Sequence, residues 1–324
     1  MSLHSIVGID VAKATFDVAV PLGKPGQFRT RAKLVNQPKG FAELKLWLSQ
    51  HAPEAGVCME ATSIYHEALA TYLYEQGVTV YVVNPLRIAR FAESELLRAK
   101  TDRTDAKLIA RFASAQEDLR PWTPPTPSQK RLRALVMRLE DLQQMRVMEE
   151  NRRDVTTSAA VLMSIERVLQ GIEEQIAQIR RIIDEHIDSD PDMKGDRRLL
   201  ESIPGIGPGV STTLLACVGD LRRFDDPGKL TAFTGLNSFV RESGKWKGSR
   251  AIAKLGSALV RAKLYMSTLT AIKHNPAIRA FVKRLRERGK PYRIAMVAGM
   301  RKLLHIAWGV IRSGRPFDPQ IALA

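Results

Sequence analysis

Apolar residues recur every second position in short runs over the first third of this chain, and at helical spacing over the rest. Residues 6–11, 15–20 and 31–35 alternate or run apolar over strand-length segments, the first two joined by the turn Ala12-Lys13-Ala14. These predict three consecutive strands. A helix is predicted from about 40 to 50, a strand over 56–60, a helix from about 64 to 76, and a strand over 78–83, which is rich in β-branched residues. Pro85 opens another helical segment, and 102–116 carries Leu108, Ile109 and Phe112 at helical spacing. Three strands followed by alternating helix and strand is the order of an RNase H-like α/β sheet.

Pro121-Trp122-Thr123-Pro124-Pro125-Thr126-Pro127 breaks any helix and is expected to be a stiff linker. Beyond it, Leu132, Leu135, Leu139 and Leu142 step by three and four. Ile165, Leu169, Ile172, Ile176, Ile179, Ile183 and Ile187 do the same. Both stripes suit coiled-coil seams. An amphipathic helix pair packed within its own domain satisfies the pattern equally. The expected organisation is therefore an α/β domain over 1–120, a linker and coiled coil over 121–195, and a mostly helical domain over 196–324.

The last region opens with Ser202-Ile203-Pro204-Gly205-Ile206-Gly207-Pro208-Gly209 between apolar helical flanks. Gly205 and Gly207 permit a tight turn, and the helix that follows presents N–H groups to a phosphate. That is the form of a helix-hairpin-helix, which grips DNA backbone without reading bases. A plain Gly/Pro link between two helices is the alternative. The glycine spacing is wrong for a dinucleotide fingerprint, and no strand precedes it.

Charge sharpens this picture. From residue 241 to 324 there are 19 Lys and Arg against three acids, Glu242, Glu287 and Asp318, an excess equal to the whole chain's +16. A basic third on a neutral remainder suits a polyanion, although a solvated charged face would also be basic. A membrane surface fits less well, because the cations are not joined to an amphipathic Trp/Phe/Leu face. No apolar stretch reaches the eighteen or so residues of a membrane helix. Met1-Ser2-Leu3-His4-Ser5 lacks the parts of a signal peptide. Cys58 and Cys217, the two cysteines, make neither a disulfide framework nor a zinc site. A cytoplasmic protein is expected.

Four carboxylates stand where phosphodiester chemistry would need them. Asp10 and Glu60 end predicted strands, and Asp102 and Asp105 lie three apart at the start of a helical run. Carboxylate oxygens suit Mg²⁺ or Mn²⁺. Two such ions roughly 3.5–4 Å apart stabilise the attacking and leaving oxygens of a displacement. Each acid also has a structural explanation. Thr101 is an N-cap candidate, acids in a first turn gain from the helix dipole, and strand-end acids often face solvent. Ser243, in Arg241-Glu242-Ser243-Gly244-Lys245-Trp246-Lys247-Gly248, has the form of a turn residue. Arg241, Lys245, Lys247, Arg250 and Lys254 around it would favour a bound phosphate, and Trp246 could stack a base or anchor packing. The six histidines show no metal-ligand spacing, and neither a P-loop nor a G-x-S-x-G elbow is present.

Over essentially its whole length the chain resembles transposases of the insertion-sequence one-ten family and the related Piv DNA invertases. The resemblance rests on Gly8-Ile9-Asp10-Val11, Met59-Glu60-Ala61-Thr62, Lys100-Thr101-Asp102-Arg103-Thr104-Asp105-Ala106, Ile203-Pro204-Gly205-Ile206-Gly207 and Phe233-Thr234-Gly235-Leu236. Ser243-Gly244, Lys247-Gly248 and Ile252-Ala253-Lys254-Leu255-Gly256 extend it. It implies a RuvC-like domain whose DEDD acids are Asp10, Glu60, Asp102 and Asp105, a coiled coil, and a C-terminal transposase domain with Ser243 as nucleophile. It further implies Mg²⁺ or Mn²⁺, donor and target double-stranded DNA, a structured bridge RNA as guide, and a bacterial, nucleoid-associated setting. A homo-oligomer is expected, a dimer pairing into a tetramer, joined partly through the 165–187 seam. Two departures from the family pattern are Asn237-Ser238 after Gly235-Leu236, and Ala253 between Ile252 and Lys254.

Overall fold

The computed structural model describes residues 6–24, 26–61, 64–95, 106–116, 119–239, 242–243, 246–247, 251–252 and 256–323, with backbone alone at 238–239, 242–243, 246–247, 251 and 322–323. It divides into two compact units, Met1–Pro124 and Pro125–Ala324.

Five strands form the sheet of the first unit: β1 (Ile6–Val11), β2 (Thr15–Pro21), β3 (Phe28–Val35), β4 (Gly56–Glu60) and β5 (Val80–Val83), in the order β3-β2-β1-β4-β5. β1 pairs antiparallel with β2 and parallel with β4, and β4 pairs parallel with β5. Alternation sorts the side chains. Val7, Ile9, Phe16, Val18, Val57 and Met59 face one way, packed with Phe41, Leu44 and Leu48 of α1 (Pro38–His51) and Leu69 and Leu73 of α2 (Tyr65–Glu75). Cys58 and Val83 face the other way, with Ile88 of α3 (Pro85–Ser94) and Leu108, Ile109 and Phe112 of α4 (Ala106–Ser114). Gly8 pairs with Cys58 and shares its face. A Cβ on Gly8 would stand 2.1 Å from the Ala106 carbonyl oxygen and 2.4 Å from the Ala110 nitrogen. Only glycine lets the helix lie this close to the strand.

β3 begins earlier than its hydrophobic pattern suggests, because its outward side is exposed and polar. A bulge opposite Phe16–Val18 sets Lys33 at φ 57°, and the Asp17 carboxylate accepts its backbone N–H at 2.7 Å.

The second unit opens with α5 (Pro127–Val155) and α6 (Ala159–Ser189). Pro127, expected in the linker, is instead the first residue of α5. Proline there sacrifices no helical hydrogen bond, and Thr126 and Gln129 close a capping box before it. The helices run antiparallel: Leu142 packs with Ile172 and Ile176, while Leu132 and Val136 lie in the core with Ile183 and Ile187. At the open end the Ser128 hydroxyl donates to Asp190 at 2.9 Å. The 165–187 stripe is thus buried inside the chain. Each Ile or Leu so removed from water contributes roughly 1.5–3 kcal/mol before conformational entropy is set against it.

There follow α7 (Pro191–Glu201), α8 (Pro208–Cys217), a 3₁₀ turn (Leu221–Arg223), α9 (Pro227–Phe233), strand pairs from β6 (Ser238–Phe239), β7 (Glu242–Ser243), β8 (Trp246–Lys247) and β9 (Ala251–Ile252), then α10 (Ala258–His274), α11 (Pro276–Glu287), α12 (Tyr292–Ser313) and α13 (Pro319–Leu323). One core joins α5 and α6 to α7, α8, α10, α11 and α12. By length and hydropathy α12 is apolar enough to cross a membrane, which corrects the sequence expectation. Arg301 and Lys302 break its apolar run but leave the average high, and Met300, Leu303, Leu304 and Ala307 are buried in the unit's own core.

Gly8→Ala should destabilise the first unit by about 3 kcal/mol, because both clashing atoms are backbone and cannot rotate away. Urea unfolding of the full chain measures it; an unchanged midpoint would contradict the close approach.

Candidate active site

The register of β1 on β4 ends at Ile9 beside Met59. One residue beyond that register stand Asp10 and Glu60, at the carboxyl ends of neighbouring parallel strands. Both are partly exposed, and both lie on the Gly8/Cys58 face, where the first residue of α4 is seated. Asp10 is also the register partner of Asp17 on β2. The sequence reading passed over Asp17; its signal was an acid alternating between Phe16 and Val18. Its bond to the Lys33 N–H makes it the residue that faces and holds the bulge.

Just inside the carboxylates, burial pushes the Cys58 thiol up to about 12, against a small opposing pull from Arg87. The floor of the site is therefore apolar and carries an inert thiol. Asp102 and Asp105 lie outside the described residues. Among the described residues no group of three His, Cys, Asp or Glu gathers as a metal cluster. Asp10 and Glu60 are hard oxygen donors on neighbouring strand ends, so their chemistry fits Mg²⁺ or Mn²⁺.

Ser243 belongs to the second unit. Its backbone is in β7, paired with Trp246 of β8, while β6 pairs with β9 through Ser238–Ile252 and Phe239–Ala251. Lys247 is on β8; Arg241, Lys245, Arg250 and Lys254 lie outside the described residues. The root of this segment is tightly held. Arg261 donates to the Gly256 carbonyl at 2.6 Å and to the Thr234 carbonyl at 3.2 Å, joining the chain before the strand pairs to the chain after them. A Cβ on Gly256 would meet the Phe233 carbonyl oxygen at 2.1 Å. Asn237, just before Ser238, accepts from the Thr231 hydroxyl at 2.9 Å and is held as a turn residue. Sequence reasoning missed Arg261, since nothing local distinguishes it from the other cations of α10.

The 204–207 turn sits between α7 and α8. Gly205 has φ 106°, and a Cβ there would stand 2.6 Å from that of Ala271. Ser267 donates to the Gly205 carbonyl, and the buried Asn275 donates to the Pro204 carbonyl at 3.3 Å. The turn's carbonyls are thus held inward on α10. Gly207, at φ −99°, is the N-cap of α8, with open space around it and no side-chain cap.

A family model described as Transposase, of the DEDD type named for IS110, matches residues 7–156, and one described as Transposase IS116/IS110/IS902 family matches residues 197–283. The chain is 32% identical to the pilin gene-inverting protein of Moraxella bovis over 97% of this chain and 98% of that protein. The Moraxella lacunata protein of the same name matches equally, at 32%. The transposase for insertion sequence element IS1111A of Coxiella burnetii is 23% identical over 83% of this chain and 78% of its own. The Thermus thermophilus RuvC structure aligns with 36% of this chain and 99% of that chain at 17% identity and a TM-score of 0.28, too low to bear on the fold.

The two turn glycines should respond oppositely to substitution. Gly205→Ala meets both a left-handed backbone and a close neighbour, and should lose about 1–3 kcal/mol. Gly207→Ser adds a helix cap, and should leave stability within about 0.5 kcal/mol or raise it. Thermal unfolding of both proteins checks the contrast.

Proposed function

The chain belongs to the IS116/IS110/IS902 transposase family, and on that premise we propose cut-and-rejoin recombination of double-stranded DNA through a serine–DNA intermediate. The Ser243 hydroxyl attacks a backbone phosphorus, a Ser Oγ–P bond forms, and a P–O bond of the strand breaks. The departing DNA hydroxyl takes up a proton. Attack by a second strand's hydroxyl reverses the chemistry, so the phosphodiester energy is kept. Two relatives are named for gene inversion, a rearrangement whose cut ends are rejoined.

Asp10, Glu60, Asp102 and Asp105 would hold Mg²⁺ or Mn²⁺, which when bound supplies positive charge beside the transferring phosphate. The observation that carries this reading is the placement of Asp10 and Glu60 at the ends of neighbouring parallel strands, on the face where Ala106 of α4 is seated. Asp105 precedes Ala106 by one residue and Asp102 by four. We read the first unit as RuvC-like, α5 and α6 as the family's coiled coil, and the 204–207 turn as a helix-hairpin-helix holding DNA backbone. Gly207, Arg241, Lys245, Lys247, Arg250 and Lys254 would meet phosphates; Gly205 shapes the turn.

The nucleophile and the carboxylates stand on different units, and several strands must be cut together. A homo-oligomer that pairs dimers into a tetramer on DNA suits both requirements. Its contacts would use surfaces other than the 165–187 stripe, which is buried in the hairpin. Sequence choice falls to a bridge RNA, because no recognition helix or zinc finger is evident in the sequence. Backbone-directed cations complement such a guide.

Incubation with labelled DNA should yield product covalently attached to protein on a denaturing gel. Ser243→Ala should abolish the adduct. Asp10→Asn should lower recombination about a hundredfold or more while the protein stays folded. Free cleaved ends from Ser243→Ala would overturn the serine reading in favour of a water-activating nuclease.

Protein purified from cells that carry the whole element should contain a specific RNA, and ribonuclease treatment should remove site-specific recombination. Full activity from RNA-free protein would refute guidance and leave the recombinase reading intact.

A further inference from the structure

Arg223 and Phe233 form an assembly that the proposed chemistry does not use. The Arg223 guanidinium carbon lies 4.8 Å from the ring centroid of Phe224 and 4.8 Å from that of Phe233. The two rings are 5.4 Å apart and tilted at 57°. Phe224 is buried, whereas Phe233 remains 46% exposed. The neighbouring Arg222 shows what a purely structural arginine does here. It holds Asp196 with two hydrogen bonds of 2.7 and 2.8 Å and reaches Asp220 at 3.3 Å. Among the described residues no hydrogen bond engages the Arg223 guanidinium; aromatic faces hold it, burial pulls its pKa down against the opposing charge of Asp220, and the side chain stays exposed.

The surrounding backbone is rigid. Trp308 donates to the Phe224 carbonyl at 3.0 Å, and Arg312, stacked on the Trp308 ring, donates to the Asp225 carbonyl at 2.9 Å. Asp226 caps α9 through the Lys229 N–H at 3.0 Å, and Phe233 is the last residue of that helix. The Phe233 carbonyl faces Gly256, where the segment bearing Ser243 rejoins the core. The pair therefore stands at the root of that segment.

We propose that Arg223 and Phe233 form a receptor for one unpaired nucleotide, the guanidinium fork binding its phosphate and the exposed phenyl ring stacking on its base. A planar cation with open donors matches phosphate oxygens. An exposed aromatic ring requires a base whose face is not already stacked in a duplex. DNA and RNA strands share this chemistry. The inference rests on the nucleic-acid reading above, because strand exchange exposes unpaired nucleotides beside the reacting serine.

Binding by the full-length protein is measured by fluorescence anisotropy with a single-stranded DNA, the same sequence as RNA, and a duplex. Phe233→Leu keeps an apolar contact with Arg223 but removes the π face. It should weaken single-strand binding about tenfold and leave duplex affinity unchanged, while Phe233→Trp should restore binding. Arg223→Gln should reduce the slope of log affinity against log salt on single strands by about 0.7, and Arg223→Lys should restore it. The strand type that depends on Phe233 identifies the source of the nucleotide. Unchanged single-strand binding by a folded Phe233→Leu protein, or an equal loss on the duplex, would overturn the receptor. If Phe233→Leu fails to fold, the Phe233→Trp protein and the Arg223→Gln salt slope decide the matter. Wild-type protein that binds no nucleic acid would instead overturn the recombinase reading itself.

Discussion

The architecture of the first unit depends on one close approach, helix α4 resting on strand β1 at Gly8. With the Ala106 oxygen only 2.1 Å from where a Cβ would stand, no other residue leaves that packing undisturbed. Glycine in a strand interior costs about 0.5–1 kcal/mol relative to alanine. Here the cost is offset by an apolar layer of Cys58, Ile109 and Phe112 between helix and sheet. The same contact seats Ala106 of α4 on the sheet face that carries Asp10 and Glu60. One missing methyl group sets that packing.

Much of this was legible because period-two and helical patterns are strong where a face is buried. β1 and β4 occupy the spans their alternation indicated, since both are central strands with helices on each side. The α6 stripe was equally clear, though pattern alone could not say which helix would cover it; the answer is α5. What escaped notice involves contacts distant in sequence. The Lys33 bulge depends on a carboxylate 16 positions earlier. Arg261 reaches back 27 positions to Thr234. Pro127 was misjudged for another reason: a proline that breaks a helix interior also starts one well, and only the Thr126–Gln129 cap distinguishes the two.

Of the candidate site, the strand-end positions of Asp10 and Glu60 were legible in the sequence, while the parallel pairing that makes their strands neighbours is a property of the sheet. Ser243 stood out as a turn residue among cations, but its role as nucleophile came only with the family resemblance, because a Ser-Gly step has no chemical signature of its own. The basic last third becomes clearer in three dimensions. With three acids after residue 240, its cations find few acids in their own stretch, and Lys263 reaches back to Glu140 of α5 at 3.1 Å. By contrast, Arg197 and Arg222 lie among acids and are neutralised in place.

The α5–α6 hairpin has a consequence for how the protein behaves when scarce. Because α6 buries its isoleucine stripe against its own neighbour in the chain, that core forms by an intramolecular step. Its stability is then independent of protein concentration, unlike that of an obligate dimer. A cell making only a few copies would still hold them folded.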